Sequence, residues 1–482
     1  MRPELSQKVQ SVARDFVIFK PVARWNDQYK NFPRFVMEYL VTQYVDPEDP
    51  ITGQKRIERL LTEHYSDSSE RELIRSRIKE QGNYKLIGDL KIRLDAKKDT
   101  YWAEVPAIGE TTVRVAPSVR SRYEDMLLTV GAWGQLTIEY DSNYQHVVDG
   151  KRYPFNVLDF VPFQLTRINL DDYTELRRQF TFDEWLDLMV ESIGFASENL
   201  GREVKLLMML RLVPFVESNY NLIELGPRET GKTYTYRNTS ARGFVVSGST
   251  TTAASLFFNK TNNKVGILGQ KEVVFFDEIA HARFDDAGNT ISVLKDYMQT
   301  GIFSRLGQQF QSDASIVLGG NIDTDLSEGR PSYRYIHLFE PLPLDLQDPA
   351  FLDRLHAYLP GWRMPKISPG SYANGYGFVS DYLAEVFHRL RRHNLGTVVD
   401  QIADLDVGSD RNQTAIKKTM SGLLKLLYPS ATSEMPDEEG AAALRDLAVE
   451  SRRLIVEQLA AILPSEYDPS VFKARPRGRD PQ

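Results

Sequence analysis

The stretch NLIELGPRETGKTYTYRNTS, residues 221–240, decides the fold of this chain. Within it, GPRETGKT is a full match to the eight-residue pattern Gly-x-x-x-x-Gly-Lys-Ser/Thr. The residues before the match, 221–225, have the apolar character of a buried strand, and a helix can begin after it at Tyr234. A match of full length between a strand and a helix predicts a P-loop in an α/β domain rather than a chance glycine-rich turn.

Each part of this loop suits the phosphates of ATP. We expect Gly226 and Gly231 to let backbone N–H groups turn inward around the β-phosphate, where a side chain would clash. The N-terminus of the following helix should add its positive dipole end. Lys232 should reach the β- and γ-phosphates, and the Thr233 hydroxyl should bind Mg²⁺. The predicted nucleotide-binding residues are Gly226, Pro227, Arg228, Glu229, Thr230, Gly231, Lys232 and Thr233.

A second segment, KEVVFFDEIAHARF (271–284), supplies two carboxylates after an apolar run. Such a run is typical of a central parallel strand, and the carboxyl ends of parallel strands border the ligand crevice. We expect Asp277 to hold Mg²⁺, directly or through water, and Glu278 to act as the general base on the attacking water. Alone, the pattern favours a strand that merely ends in acidic loop residues, but the P-loop upstream favours the functional interpretation.

Three further residues are singled out by their order along the chain. Asn321 ends the apolar strand ASIVLGGNID (314–323) and can sense the γ-phosphate, although Asn after Gly-Gly is also a common turn residue. Arg354 precedes a helical section and could act as an arginine finger on a neighbouring subunit's nucleotide. Arg411 opens a later helix and could contact the γ-phosphate of its own subunit. For both arginines a plain surface position is the alternative, and on local sequence alone it is favoured.

The chain of 482 residues is long enough for about three domains. The patterns predict a multidomain α/β protein with a P-loop core of parallel strands flanked by helices. The predicted segments are an N-terminal α+β domain (1–122), a mixed connecting region (123–202), the ATPase core (203–364), a helical lid (365–464) and a basic tail (465–482).

Composition excludes several classes of protein. There are no cysteines, so disulfides, thiolate nucleophiles and cysteine-based metal sites are ruled out. The sequence has neither a long apolar run nor a signal-like N-terminus, so we expect no membrane association and a cytoplasmic location. Residues 1–122 carry 22 basic and 18 acidic side chains within a chain of net charge −7. This front end suits a polyanion, or simply presents mixed charges to solvent.

The series GPRETGKT, VVFFDE, GGNID, DRLH and GSDRNQTAIKK has the order and spacing of an AAA+ module. More closely, NLIELGPRETGKTYTY, FFDEIAHARF, LKDYMQTGIFSRL and MSGLLKLLYPS resemble the BrxL family, the Lon-protease-like ATPases of bacterial BREX phage-defence systems. The resemblance is strong over residues 180–430 and looser in the N-terminal part.

This resemblance implies a homo-hexamer or double hexamer with the ATP site between subunits. It also implies duplex DNA as the partner, bound by the N-terminal domain and the ring pore, with other BREX proteins as further possible partners. Candidate pore elements are a hairpin with its tip at 305–309 and the segment FFNKTNNK (257–264), in which Lys260 and Lys264 could contact phosphates. Exposed polar loops are the alternative for both elements.

Longer relatives carry a Lon-type protease domain with a serine–lysine pair, and no such segment is evident here after Arg411. Ser421, in MSGLLKLLYPS, lies in a periodic apolar stretch and is expected on a helix. The leading hypothesis is therefore a DNA-binding ring ATPase of phage defence. An ATP-dependent protease or unfoldase with a separate peptidase, or a nucleotide-gated scaffold for other defence proteins, are the alternatives.

Overall fold

A computed structural model provides the structure of the chain. It describes residues 1–24, 33–46, 49–65, 70–96, 98–129, 131–142, 147–148, 150–163, 168–247, 250–259, 264–305, 307–325 and 330–472. The chain divides into two compact units. The smaller unit comprises residues 18–168 and 379–385, and the larger unit comprises residues 1–17, 169–378 and 386–482.

The α-helices, numbered in chain order, are α1 (Pro3–Val12), α2 (Arg34–Tyr44), α3 (Pro50–His64), α4 (Arg71–Gln81), α5 (Pro117–Arg122), α6 (Glu124–Thr129), α7 (Leu170–Arg178), α8 (Phe182–Ser192), α9 (Arg202–Val216), α10 (Lys232–Asn238), α11 (Ala253–Leu256), α12 (Ala287–Thr300), α13 (Pro349–Leu352), α14 (Ser380–Leu390), α15 (Gly396–Ile402), α16 (Asp410–Leu427) and α17 (Glu438–Ile462). The β-strands are β1 (Val17–Phe19), β2 (Asn83–Asp95), β3 (Thr100–Val105), β4 (Glu110–Val115), β5 (Ala132–Tyr140), β6 (Val147–Val148), β7 (Lys151–Arg152), β8 (Phe155–Pro162), β9 (Asn221–Gly226), β10 (Gly243–Ser247), β11 (Thr250–Thr251), β12 (Phe258–Asn259), β13 (Lys264–Val265), β14 (Val273–Asp277), β15 (Arg283–Phe284), β16 (Ile302–Arg305), β17 (Gln308–Gln311), β18 (Ser315–Asn321), β19 (Thr324–Asp325), β20 (Arg330–Pro331), β21 (Ala357–Pro360) and β22 (Tyr376–Phe378).

The smaller unit is built around a closed barrel with the strand order β2-β3-β4-β8-β5, in which β5 pairs back onto β2. Neighbouring strands are antiparallel except β4 and β8, which are parallel. Alternate residues of each strand point inward, and Leu86, Leu136 and Phe160 belong to the resulting core. Five strands closed in this Greek-key order form a barrel of the OB type.

The barrel takes strands from both of the first two predicted segments. Strands β2, β3 and β4 precede residue 122, whereas β5 and β8 follow it. Because β5 pairs with β2 along most of its length, the predicted boundary at 122/123 falls inside the barrel, between α5 and α6. The segment bounds do not reveal that these strands close into one barrel, since pairing between distant strands leaves no local signal.

The larger unit contains a five-stranded parallel sheet with the order β10-β14-β18-β9-β21. Every residue of β9 and β21 is buried, as are most residues of β14 and β18. Strands covered on both faces are near-continuous apolar runs, which is why VVFF and SIVLGG lack alternation. Residues 207–216 of α9 are likewise all buried, and α9 packs against α16, while α17 packs against β21.

The larger unit contains helices α8, α9, α16 and α17, and the division between the two units falls within α14. Thr181 caps α8: its hydroxyl accepts the Glu184 N–H, and the Glu184 carboxylate accepts the Thr181 N–H. Helices α14–α17 occupy the segment predicted as a lid, and most of the predicted tail lies outside the described residues. Within the described ranges, no helix combines the length and apolar character needed to span a bilayer.

A buried histidine just before β21 joins this strand to its neighbour β9. The backbone N–H of Asn221 donates to His356 Nδ1 at 2.8 Å, and the backbone N–H of His356 donates to the Asn221 carbonyl at 2.7 Å. The imidazole also stacks on Tyr220. Burial lowers the pKa of His356 well below its usual value, and the positive charges of Lys418 and Arg452 lower it further. The ring is therefore neutral, as its acceptor role at Nδ1 requires.

This histidine makes the stability of the larger unit depend on pH. Because its folded pKa is depressed, its contribution is complete above the unfolded pKa of about 6.5 and is lost as pH falls below that value. The urea concentration at the midpoint of unfolding should therefore decrease as the pH is lowered from 7.5 to 5.5. It should decrease less in His356→Asn, because the asparagine keeps an acceptor that does not titrate. The control His281→Asn removes an exposed imidazole. A wild-type pH slope in His356→Asn would contradict this assignment.

Candidate nucleotide-binding site

The predicted strand–loop–helix around the P-loop is present. Strand β9 ends at Gly226, the loop spans residues 227–231, and α10 begins at Lys232. Two residues of the loop adopt left-handed backbone conformations, Glu229 with φ +65° and Gly231 with φ +80°. These positive φ values turn the chain back on itself, so that a short loop can connect a buried strand directly to a helix.

The two P-loop glycines meet protein atoms rather than leaving space for phosphate alone. A Cβ on Gly226 would lie 2.4 Å from the carbonyl carbon of Gly361, and a Cβ on Gly361 would lie 2.8 Å from the Leu225 carbonyl oxygen. A Cβ on Gly231 would lie 2.8 Å from the Phe195 ring. The sequence-based reason, clearance for phosphate, is therefore incomplete, because the backbone after β21 packs directly on the end of β9.

The Lys232 ammonium lies inside the loop. Its Nζ donates to the carbonyl of Pro227 at 2.8 Å, and to the Gly226 carbonyl and Thr230 Oγ1 at 3.3 Å each. Burial lowers the pKa of Lys232, and the nearby Glu224 carboxylate opposes that shift by favouring the charged form. The loop thus holds a mostly buried cation among backbone oxygens, which is the charge that a phosphate group requires.

The two predicted magnesium ligands are in direct contact. Thr233, at the start of α10, donates through Oγ1 to Asp277 Oδ2 at 2.7 Å. Asp277 ends β14, which is two strands away from β9 in the sheet, with β18 between them. A hydroxyl and a carboxylate oxygen at this spacing are hard ligands of the kind that Mg²⁺ binds beside a nucleotide, so the residues fit the predicted ion.

Glu278, Asn321 and Arg228 line one cavity of about 570 Å³ beside the P-loop. Asn321 is level with Gly226 in the pairing of β18 with β9. Glu278 has a left-handed backbone, φ +52°, and its N–H donates to Asp277 Oδ1 at 3.0 Å. Strained backbone of this kind in a non-glycine residue is common at functional sites. The structure therefore brings the predicted base and the predicted γ-phosphate sensor together.

The same cavity contains polar residues that the sequence patterns did not indicate. Arg334 forms an ion pair with Asp323 and donates to the Tyr335 hydroxyl at 2.7 Å. The Tyr335 hydroxyl also accepts the backbone N–H of Asp323 at 3.2 Å. The only signal in the sequence is the run RPSYRYIH (330–337), which is basic and aromatic but matches no motif.

Arg354 and Arg411 lie together, away from the P-loop. Both line a second cavity of about 380 Å³, where Arg354 donates to the Ala350 carbonyl and Arg411 pairs with Asp353. The carbonyl of Arg354 accepts from the side-chain amide of Asn221, the first residue of β9, whereas the P-loop follows the last residue of β9. The two ends of β9 are roughly 16 Å apart, given the rise per residue of a strand of this length.

The predicted contact of Arg411 with the γ-phosphate of its own subunit does not fit this placement. Its guanidinium is held by Asp353, next to the start of β9 and β21, because α16 packs at the end of the sheet where these strands begin. Position along the chain suggests a lid residue, but only the packing of α16 shows which edge of the sheet its first turn reaches.

The two candidate pore elements are neighbouring hairpins, β12–β13 and β16–β17. Aromatic rings connect them: Phe258 stacks on Phe310 with centroids 5.0 Å apart, and Phe310 stacks on Phe303 at 5.2 Å. Lys260 lies outside the described residues, as do the side chains of Lys264 and Arg305. The sequence predicts the two elements separately, whereas the structure joins them into one module.

A parallel sheet whose strand β9 runs into a Gly-x-x-x-x-Gly-Lys-Thr loop defines a P-loop nucleotide-binding protein of the α/β class. Comparison with known families makes the class specific. Residues 155–473 match the family model described as "Lon-like protease BrxL-like, ATPase domain", and residues 11–140 match "BREX system Lon protease-like protein BrxL N-terminal".

Two curated relatives are similar over nearly the whole chain. The Lon-like protease BrxL of Escherichia coli O9:H4 (strain HS) is 35% identical over 457 residues, 94% of this chain and 64% of the relative. The Lon-like protease BrxL of Bacillus cereus (strain H3081.97) is 35% identical over 471 residues, 96% of this chain and 68% of the relative. The chain belongs to the BrxL family and carries its ATPase domain, and it spans about two thirds of the length of these relatives.

The contact between Gly226 and Gly361 can be tested with a single methyl group. Gly361→Ala places a Cβ within 3 Å of the backbone at Leu225 and Gly226, so the strand end must shift. We expect a loss of about 1–3 kcal/mol in the free energy of unfolding and weaker binding of a fluorescent ATP analogue. The control is Gly370→Ala, whose Cβ meets no atom within 4 Å. Wild-type binding by Gly361→Ala would show that the contact does not shape the loop.

Proposed function

We propose that this chain is a magnesium-dependent ATPase whose larger unit has the AAA+ arrangement. The single observation that carries the proposal is the 2.7 Å contact between Thr233 and Asp277, because it joins the end of the P-loop to the acidic strand. The strand order supports it too, since β9, β18 and β14 are adjacent and all end beside the loop. ATP is the proposed substrate and Mg²⁺ the proposed cofactor.

In this proposal each side chain of the nucleotide-binding site has a separate chemical role. Lys232 neutralises the β- and γ-phosphates, and Thr233 and Asp277 hold Mg²⁺, which supplies further positive charge to the phosphate oxygens. Glu278 accepts the proton of a water whose oxygen bonds to the γ-phosphorus as the bond to the departing ADP oxygen breaks. Asn321, in the same cavity as Glu278, orients that water by hydrogen bonding.

We further propose that a neighbouring subunit completes the site. Arg354 lies at the opposite end of β9 from the P-loop, which supports a role in trans as an arginine finger. Arg411 shares the cavity with Arg354, and we assign it the same direction of action rather than the intrasubunit contact. The proposed assembly is a homo-hexamer or a double hexamer, because a closed ring gives each site one donor subunit.

Duplex DNA is the proposed partner of the ring. We propose that the ring acts in BREX phage defence in the cytoplasm, together with other BREX proteins. The barrel of the smaller unit supports a nucleic-acid partner, since OB-type barrels bind oligonucleotides through one face and its loops. The joined hairpins offer a second contact, with exposed Gln308 and Gln309 beside the β16–β17 turn. ATP hydrolysis would then drive engagement of, or movement along, the DNA.

The description of both relatives as Lon-like proteases favours one other candidate, an ATP-dependent unfoldase or protease that works with a separate peptidase. Both candidates need the same nucleotide chemistry, so ATP hydrolysis does not separate them. Incubation with casein and ATP does: fragments in the presence of the peptidase partner support the second candidate, and intact casein with DNA-stimulated hydrolysis supports the first.

The proposed chemistry predicts distinct failures for two variants. Lys232→Ala should bind ATP weakly and hydrolyse none, because the phosphate charge is no longer neutralised. Glu278→Gln should still bind ATP but lose at least about 10²-fold in turnover, because only proton transfer is removed. Duplex DNA at low salt should stimulate wild-type hydrolysis, measured as phosphate release. Glu466→Gln, an exposed carboxylate outside the cavity, is the control and should behave as wild type.

If wild-type hydrolysis were the same with and without duplex DNA, and no DNA bound at low salt, the ring-motor proposal would be wrong. If Glu278→Gln kept wild-type turnover, a different residue would be the base.

A shared site predicts complementation between two inactive variants. Arg354→Ala should lose about 10³-fold or more in turnover, the usual contribution of an arginine finger. Mixed with Glu278→Gln, it should regain activity, because some interfaces then pair an intact Glu278 with an intact Arg354. The measurement is phosphate release across mixing ratios after subunit exchange. No recovery at any ratio, or full activity of Arg354→Ala alone, would refute the shared site.

A further inference from the structure

Two opposite charges are buried beneath the P-loop among mostly apolar residues. Arg211 lies in the middle of α9, Glu224 lies in the middle of β9, and neither side chain is exposed at all. Arg211 Nε donates to Glu224 Oε2 at 2.9 Å, and its Nη2 donates to Oε1 at 2.5 Å. This two-point contact is the strongest geometry available to an arginine and a carboxylate.

The remaining arm of the guanidinium reaches the P-loop itself. Arg211 Nη1 donates to the carbonyl oxygen of Thr230 at 3.2 Å. Because a trans peptide is planar, its carbonyl and the next N–H point in opposite directions. Holding the Thr230 carbonyl therefore directs the Gly231 N–H away from Arg211. Backbone N–H groups of a P-loop must point at phosphate, so this bond sets the orientation of one of them.

The main chain of Arg211 holds the helix that follows the loop. The Tyr236 hydroxyl, on α10, donates to the Arg211 carbonyl at 3.0 Å. The Tyr236 ring stacks on Phe275 of β14, with centroids 4.4 Å apart and planes inclined by 19°. One residue of α9 thus connects the strand before the loop, the last turn of the loop and the helix after it.

Stability alone does not account for this pair. Removing two charges from water is costly, and apolar residues of similar volume usually serve a buried position as well or better. What apolar residues do not provide is the bond to the Thr230 carbonyl. We propose that Arg211 is a positioning residue that orients the Thr230–Gly231 peptide for phosphate binding, with Glu224 fixing and neutralising its guanidinium. This inference rests on the proposed ATPase function and adds a determinant of nucleotide affinity.

The test compares nucleotide binding and turnover in variants that keep the interior filled. In Arg211→Met/Glu224→Leu, we expect thermal stability at least equal to wild type, an ATP KM raised at least tenfold, and kcat within about threefold of wild type. Arg211→Lys keeps the charge but loses the fork, so it should show an intermediate rise in KM. The Kd of a fluorescent ATP analogue should follow the KM.

The control is Arg391→Met, which removes another buried arginine of the same unit, one that donates to the carbonyls of Pro214 and Asp313. It should lower stability without raising KM. A folded double variant with wild-type KM and Kd would overturn the inference and leave the ATPase proposal intact. If the double variant does not fold, wild-type KM in Arg211→Lys has the same meaning. A wild-type protein that binds no nucleotide would refute the proposed function itself.

Discussion

The parallel pairing of β9 with β18 on one side and β21 on the other is the constraint on which the rest of the larger unit depends. It buries all of β9 and places the P-loop at its end, level with Asn321 on β18. It also places the start of β9 beside the segment that carries Arg354. Because an extended strand separates its two ends, the P-loop and the arginine pair lie at opposite ends of β9.

Charge inside this unit is handled by close pairing. The buried cation of Lys232 is surrounded by loop oxygens, and that of Arg211 by Glu224 and the Thr230 carbonyl. At the other edge, the Asp353 carboxylate accepts from both Arg411 and Arg452. Since an unpaired buried charge is costly, each pairing also fixes the position of the loop or helix that carries it. These buried charge pairs thus position the P-loop and the helices around it.

Backbone contact is the second source of precision. The end of β9 and the turn after β21 touch at Gly226 and Gly361, with no room for a methyl group on either residue. Only the first of these glycines belongs to a recognisable motif. The hairpin module shows the same dependence on distant partners, because Phe258 and Phe310 stack across 52 positions of sequence. Local sequence patterns do not reveal such distant contacts.

The sequence by itself determined the elements that local chemistry specifies: the P-loop, the buried strand ending in Asp277 and Glu278, and the α/β class. Periodicity, capping and motif spacing are local, so they can be read along the chain. Only the tertiary structure decided that β5 and β8 close a barrel with β2, that Thr233 contacts Asp277, that Arg211 supports the loop, and that Arg411 lies with Arg354 rather than with its own P-loop. These depend on which distant surfaces pack together, and packing is a property of the whole folded chain rather than of any segment.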